Sequence, residues 1–169
     1  MKLSTQEEYG IRCLLQIGRH ETLTGEGLTI PEISQAEGLS GPSVAKTMRN
    51  LRLGDFVKSE RGQSGGYRLS RPAEEIVVGD VLAFLGGPLF GPDFCEDRGG
   101  GHDNCAHSVA CSIRSLWNTV QFVIDQILGR ITLRDLLGDE EQLETGLRGL
   151  AEDLLQISAP EAPVPATHG

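Results

Sequence analysis

Residues 95–128 constrain this chain more than any other stretch, because they join a segment that can bury nothing to one that must bury a great deal. The segment FCEDRGGGHDNCAHSVAC sets Cys95, Cys105 and Cys111 at the spacing C-x9-C-x5-C, and six of the nine residues between the first two cysteines are glycine or acidic. Such a composition builds no core. After Cys111 the apolar residues Ile113, Trp117, Val120, Ile124 and Ile127 recur at alternating steps of four and three, with Val109, Leu116 and Val123 widening the stripe. The period predicts a helix over residues 109–128, about 30 Å long, too long to hide one face against a small domain. Self-pairing along Ile113, Trp117, Val120, Ile124 and Ile127 is the simpler way to bury it and gives the expected dimer seam. Packing on the chain's own helices is the alternative.

A length of 169 residues suffices for one ordinary domain or two small ones, and 38% hydrophobic residues with 5% aromatic describe a helical, soluble protein with no enzyme-sized cavity implied. The start, MKLSTQEEYGIRCLL, is charged within its first eight residues and lacks the apolar run of a signal peptide or membrane span. A cytoplasmic protein with no membrane partner is expected, and there thiols stay reduced. Metal or redox chemistry is then the expected use of the three clustered cysteines, in preference to disulfides. Cys13 stands apart among Ile11, Leu14, Leu15 and Ile17 and reads as a buried apolar residue.

The net charge of −9 is unevenly spread. Residues 1–72 hold 10 Lys/Arg against 8 Asp/Glu, and the remainder holds 5 against 16. Within residues 40–72, Lys46, Arg49, Arg52, Lys58, Arg61, Arg68 and Arg71 face only Asp55 and Glu60, the footprint expected of a phosphate-binding surface.

The elements around this basic stretch have a recognisable order. Residues 4–20 form an expected first helix capped by Ser4 or Thr5, with Glu7 and Glu8 in its opening turn; ETLTGEG breaks it. A two-turn helix starts at Pro31 and stops at Gly38, and Ser40 caps a third, GPSVAKTMRNLRLG, with Val44, Met48 and Leu51 on one face. DFVKSE and GGYRLS, joined by RGQSGG, read as a hairpin with a glycine tip. Short helix, tight turn, capped basic helix and hairpin make a winged helix-turn-helix that binds double-stranded DNA. Ser40, Pro42, Ser43, Lys46, Thr47 and Arg49 on the third helix, and Arg61 at the wing, are the expected DNA contacts. Two-fold symmetry makes the target a palindromic operator.

The architecture expected is therefore mainly α with a small β-wing. Residues 1–91 form the DNA-binding domain, with residues 74–86 as a short apolar helix packing the wing against the first helix. Residues 92–111 form the cysteine-rich loop, and 109–138 a dimerisation helix with a following short helix. Residues 139–158 form a possible further helix, weakened by Gly146 and Gly149, and the proline-rich residues 159–169 a disordered tail.

MKLSTQEEYGIRCLL, the LS-x4-AK segment, the RGQSGGYRL wing, VLAFLGGP, the three-cysteine loop and ITLRDLL together resemble the bacterial iron-sulfur winged-helix regulators of the IscR, NsrR and RirA type. The likeness covers residues 1–138. It implies a homodimeric transcription regulator, not an enzyme, that senses iron-sulfur or iron status, nitric oxide or redox stress through an iron-sulfur cluster, 2Fe-2S or 4Fe-4S. Cys95, Cys105 and Cys111 would be its thiolate ligands. The IscR-like members place a histidine ligand three residues after the last cysteine, where this chain has Arg114, which cannot ligate. In NsrR-like members lacking that histidine, an acidic residue early in the first helix completes the cluster across the dimer, and the matching position is Glu8. His102, His107 and Glu37, the last standing where one redox-sensing branch has a histidine, are the alternatives. Rival readings of the cysteines are a structural zinc site completed by His102 or His107, a metal-free thiol switch, and an iron-sulfur electron carrier or enzyme. The zinc site lacks any C-x2-4-C knuckle, and the last reading leaves the basic helix and wing without a purpose.

Overall fold

The computed structural model describes residues 4–60, 65–88 and 112–157, with side chains as far as residue 153. Helix α1, Thr5–Thr24, opens on a reciprocal cap. Ser4 Oγ accepts the Glu7 N–H at 3.3 Å, and the Ser4 N–H donates to the Glu7 carboxylate at 2.7 Å, satisfying two backbone donors that a helix start leaves open. The helix runs past the expected end at residue 20, as far as Gly25 at φ 70°. Helix α2 spans Ile30–Glu37 and α3 Gly41–Leu53. Between them Gly38 takes φ 65°, a left-handed conformation that glycine adopts at little cost.

Strands β1, Val57–Glu60, and β2, Gly66–Leu69, pair antiparallel with Val57 opposite Leu69 and Glu60 opposite Gly66. A third segment joins them, since Leu28 and Tyr67 exchange both backbone hydrogen bonds at 3.0 and 2.7 Å. The approach requires Gly66, where a Cβ would stand 2.8 Å from the Leu28 carbonyl. The hairpin is thereby pinned to the α1–α2 connection as well as to α3.

The stretch read as one helix over residues 74–86 is divided into a 3₁₀ turn, Ala73–Glu75, and helix α4, Val78–Gly86. Val81 and Leu85 of α4 are buried in the core with α1 residues, and Phe84 meets Phe56, at the base of the wing, edge-on at 5.8 Å. Helix α5, Ser112–Leu128, is followed by a return to the core. The Val78 N–H donates to the Ile131 carbonyl and the Leu133 N–H to the Ile76 carbonyl, both at 2.8 Å. This pairing sets helix α6, Leu133–Leu137, against α1, with Leu133 fully inside. The short helix grouped by sequence with the expected dimerisation helix therefore packs with α1–α4 and the hairpin, and together they form the head of the molecule. Helix α7, Glu140–Ile157, runs uninterrupted through Gly146 and Gly149.

One core unites these elements: Cys13, Leu14 and Ile17 of α1, Ile33 of α2, Val44, Met48 and Leu51 of α3, Val57 and Leu69 of the hairpin, Val81 of α4 and Leu133 of α6. No residue of α5 is fully buried. No helix among the described residues is long and apolar enough to cross a membrane.

Candidate nucleic-acid interface

Helix α3 begins where Ser40, its N-cap, accepts the Ser43 N–H at 3.3 Å and lies 2.8 Å, oxygen to oxygen, from the Ser43 hydroxyl. Pro42 fits the first turn, where no intrahelical N–H is needed. The buried residues Val44, Thr47, Met48 and Leu51 follow the i, i+3, i+4, i+7 pattern and fasten the helix to the core. The opposite face presents Pro42, Ala45, Lys46, Arg49 and Leu53 to solvent. Ser40, Pro42, Lys46 and Arg49 thus stand exposed, as expected, and Ser43 is partly so. Thr47 does not: it is only 4% exposed. Its position, three residues after Val44 and four before Leu51, places it inside the apolar stripe, so it is a core residue and not a surface contact.

The structure also sorts the basic residues of this region. Arg68 lies between Glu21 at 3.7 Å and Glu60 at 3.6 Å, and Lys58 is 3.9 Å from Glu60. Arg71 donates to the Asp55 and Glu75 carbonyls at 2.7 and 3.2 Å and covers the Phe56 ring at 5.4 Å. Arg68 and Arg71 serve the fold, whereas Lys58, more than half exposed, only stands near Glu60 at the surface. Lys46, Arg49 and Arg52 are exposed on α3 and form no ion pair among the described residues. Arg52, three residues beyond Arg49, was absent from the expected contacts; its spacing from Arg49 was the signal available. Arg61 lies outside the described residues.

A second polar group sits behind the turn that precedes α3. Arg12 of α1 donates from Nε to the Glu37 carboxylate at 2.6 Å, from Nη2 to the Glu37 carbonyl at 2.7 Å, and from Nη1 to the Glu8 carboxylate at 3.3 Å. The side chain of Glu8 is 55% exposed, that of Glu37 only 10%. The hydrogen bond to Glu37 raises the Arg12 pKa above its ordinary value. Glu7 is turned into the protein beside Gly86, the roughly 100° rotation from Glu8 that a helix imposes. Cys13 is wholly buried, and burial pushes its thiol pKa up to about 12. Cys95, Cys105, Cys111, His102 and His107 lie outside the described residues.

Residues 3–139 match the family described as Rrf2, iron-dependent transcriptional regulator. The chain belongs to the Rrf2 family. Among its relatives, protein rrf2 of Nitratidesulfovibrio vulgaris is 33% identical over 139 residues, covering 82% of this chain and 89% of that protein. The transcriptional regulator IscR of Vibrio campbellii is 29% identical, covering 85% of this chain and 82% of its own length. In three dimensions this Rrf2-family chain is similar to CymR, the global cysteine regulator of B. subtilis, with a TM-score of 0.64 and 26% identity over 81% of this chain and 96% of that one. It is also similar to T. potens IscR, with a TM-score of 0.63 and 26% identity over 96% and 94%. The match to Rrf2 ends at residue 139, immediately before α7.

On α5 of this Rrf2-family regulator, the residues expected to form a dimer seam do not share one environment. Trp117, Val120, Ile124 and Ile127 are partly covered, Ile124 and Ile127 facing a groove of about 650 Å³ lined from α4 by Leu82 and Ala83. Ile113, Leu116 and Val123 are exposed at 59%, 55% and 43%. The chain's own helices cover one side of the stripe and leave its shoulder open.

Proposed function

We propose that this Rrf2-family chain is a homodimeric, DNA-binding transcription regulator that reads a palindromic operator and senses iron-sulfur or iron status, nitric oxide or redox stress through a labile iron-sulfur cluster. The observation that carries the DNA reading is the outward face of α3, where Lys46, Arg49 and Arg52 stand exposed with no ion pair among the described residues, whereas Arg68 and Arg71 of the neighbouring hairpin are held by acidic side chains and backbone carbonyls. Free cations release counterions from DNA, and a capped helix start with short side chains can approach major-groove edges. Ser40, Pro42, Ser43, Lys46, Arg49 and Arg52 are the proposed contacts, with Arg61 reaching the minor groove or backbone.

Dimerisation is supported by the open apolar shoulder of α5. Two copies paired about a two-fold axis would cover Ile113, Leu116 and Val123 while extending the groove of Ile124 and Ile127.

Cys95, Cys105 and Cys111 would hold the cluster, with Glu8 of the second subunit as the fourth ligand. Glu8 fits that role better than Glu37, because Glu8 is mostly exposed and tied only through a 3.3 Å contact, whereas Glu37 is nearly buried and bonded twice by Arg12. His102 and His107 are the ligands within the loop that the same experiment tests. When bound, such a cluster supplies an iron whose ligand set is altered by nitric oxide or oxygen. What the chain itself contributes is an exposed, displaceable carboxylate on the helix against which the helix-turn-helix packs. A metal-free thiol switch is the second reading, favoured by the likeness to CymR, whose Staphylococcus aureus counterpart has also been solved in an oxidized form.

Anaerobic purification followed by DNA binding tests the whole reading. Equal iron and sulfide with visible absorbance supports the cluster. A colourless protein with one zinc per chain refutes it, and a metal-free protein whose DNA affinity follows thiol oxidation selects the second reading. After reconstitution, Glu8→Ala should alter the visible spectrum and the rate of cluster loss. If His102→Ala or His107→Ala does so and Glu8→Ala does not, the fourth ligand lies in the loop. Lys46→Ala should shallow the salt dependence of DNA binding by about one unit of slope.

A further inference from the structure

The turn between α2 and α3 is tied to α1 by Arg12. Glu37 is the last residue of α2, and Ser40, three residues on, is the N-cap of α3. The C-terminal carbonyls of a helix have no partner within it, and here the Glu37 carbonyl is taken by Arg12 Nη2 at 2.7 Å while Nε of the same guanidinium takes the Glu37 carboxylate at 2.6 Å. The Ser34 hydroxyl donates to the Leu39 carbonyl and ties the turn to α2. The Arg12 fork is planar and fixes the direction of both its bonds, so it sets the angle as well as the distance between α1 and this turn. One turn earlier on α1, Glu8 takes the third donor of the same group at 3.3 Å. Two carboxylates, one nearly buried and one mostly exposed, therefore share one cation immediately behind the start of α3.

We infer that Arg12 is a positioning residue for DNA binding: it fixes the start of α3 to α1 through Glu37, with Glu8 bonded to the same guanidinium. The inference rests on the reading of α3 as the DNA-contacting helix. It assigns Arg12 no contact with DNA, and none of the steps requires a metal. A residue that sets the angle of α3 acts on the fit to one sequence. It leaves the general attraction of exposed cations for phosphate unchanged.

The experiment uses the full chain, every variant in its metal-free, reduced form, and two duplexes: one enriched from a random pool by the wild-type protein in that form, and one of scrambled sequence and equal composition. Arg12→Gln is expected to weaken the enriched duplex by about tenfold and the scrambled one by less than about twofold. Arg12→Lys should behave alike, because an ammonium keeps the charge and loses the fork. Glu8→Gln should change the enriched-duplex affinity by about twofold in the wild-type background, as an exposed ion pair would, and have no effect once Arg12 is replaced by Gln. Should Arg12→Gln unfold the chain by leaving Glu37 unpaired, the double variant Arg12→Gln with Glu37→Gln removes both charges and carries the same expectation. Wild-type affinity for the enriched duplex in the Arg12 variants, or equal weakening of both duplexes, overturns the inference. The variant Lys46→Ala with Arg49→Ala separates the two levels. If it weakens binding while the Arg12 variants do not, only the role of Arg12 is wrong; if it too leaves binding unchanged, the reading of α3 falls.

Discussion

Nine of the 17 residues of α5 are Leu, Ile, Val or aromatic, a denser apolar content than that of the head, yet the two reach opposite outcomes. In the head, Leu14, Ile17, Ile33, Met48, Leu51 and Leu133 converge from four helices and vanish from solvent. On α5, whose stripe is at least as regular, nothing is fully buried, and Leu116 and Val123 stand open. A helix can present a perfect apolar face and still lack something to place against it. Periodicity specifies the face, and only the surrounding elements supply the cover. The head is closed by its own chain, whereas α5 is half closed, which suits a helix shared between two subunits.

The largest effect is expected where this contrast is drawn. Leu116→Asp introduces a carboxylate that a monomer leaves in water and a symmetric dimer buries twice, so it should cost assembly at least 3–5 kcal/mol on the scale of a buried unpaired charge. Sedimentation should show a folded monomer with an unchanged helical signal. A variant that stays dimeric would place the seam elsewhere. Next in size, Leu51→Ala removes a side chain with no exposure and should lower the stability of the head by about 2–5 kcal/mol in urea denaturation, without changing the association state measured below the transition. A loss under about 1 kcal/mol would mean that the head is closed less tightly than its burial shows.

Smaller effects sharpen the comparison at helix ends and exposed turns. Ser40→Ala removes the cap of α3 and should cost about 1 kcal/mol, with some loss of DNA affinity if the helix start frays. Gly146→Ala, on a helix of which that residue leaves open space for a methyl group, should stabilise α7 by about 0.5–1 kcal/mol, detectable as a higher melting temperature. Cys13 gives the smallest effect at neutral pH. Its folded pKa of about 12 lies above the ordinary 9.0, so the stability it lends is fully present below pH 9.0 and is lost as pH rises towards 12. A Cys13→Ala variant should lose less stability on alkaline titration than the wild type, and Cys13 should react with thiol reagents at pH 8 only after unfolding.

Several features of the head were legible because their causes are local. Ser4 and Glu7 are three residues apart, which is all a reciprocal cap requires; Gly38 and Ser40 end one helix and begin the next; and β1 and β2, separated by five residues in the chain, pair with Glu60 opposite Gly66. The apolar stripe of α5 was legible for the same reason. Of the features that failed, Thr47 was a misreading of a local pattern, and the others depended on partners elsewhere in the chain. Thr47 is chemically a surface residue and was placed on the surface, yet the stripe of Val44, Met48 and Leu51 leaves no room for it elsewhere. Arg68 and Arg71 counted towards a basic patch until Glu21, Asp55 and the Glu75 carbonyl claimed them. The expectations for the cysteine loop lie outside the described residues and stand as proposals.

By itself, the sequence determined the helices, their caps, the wing and the resemblance to a family of winged-helix regulators, since each depends on spacings of a few residues that backbone geometry enforces. It could not decide that Ile131–Leu133 returns to pair with Ile76–Val78 and brings α6 into the head, because no local propensity records which backbone groups more than fifty residues away lack partners. Nor could it join Glu8, Arg12 and Glu37 or separate the free cations of α3 from those already paired. Charge in a sequence is a count, and whether a given charge is available to DNA is settled only when folding fixes which opposite charge lies within reach.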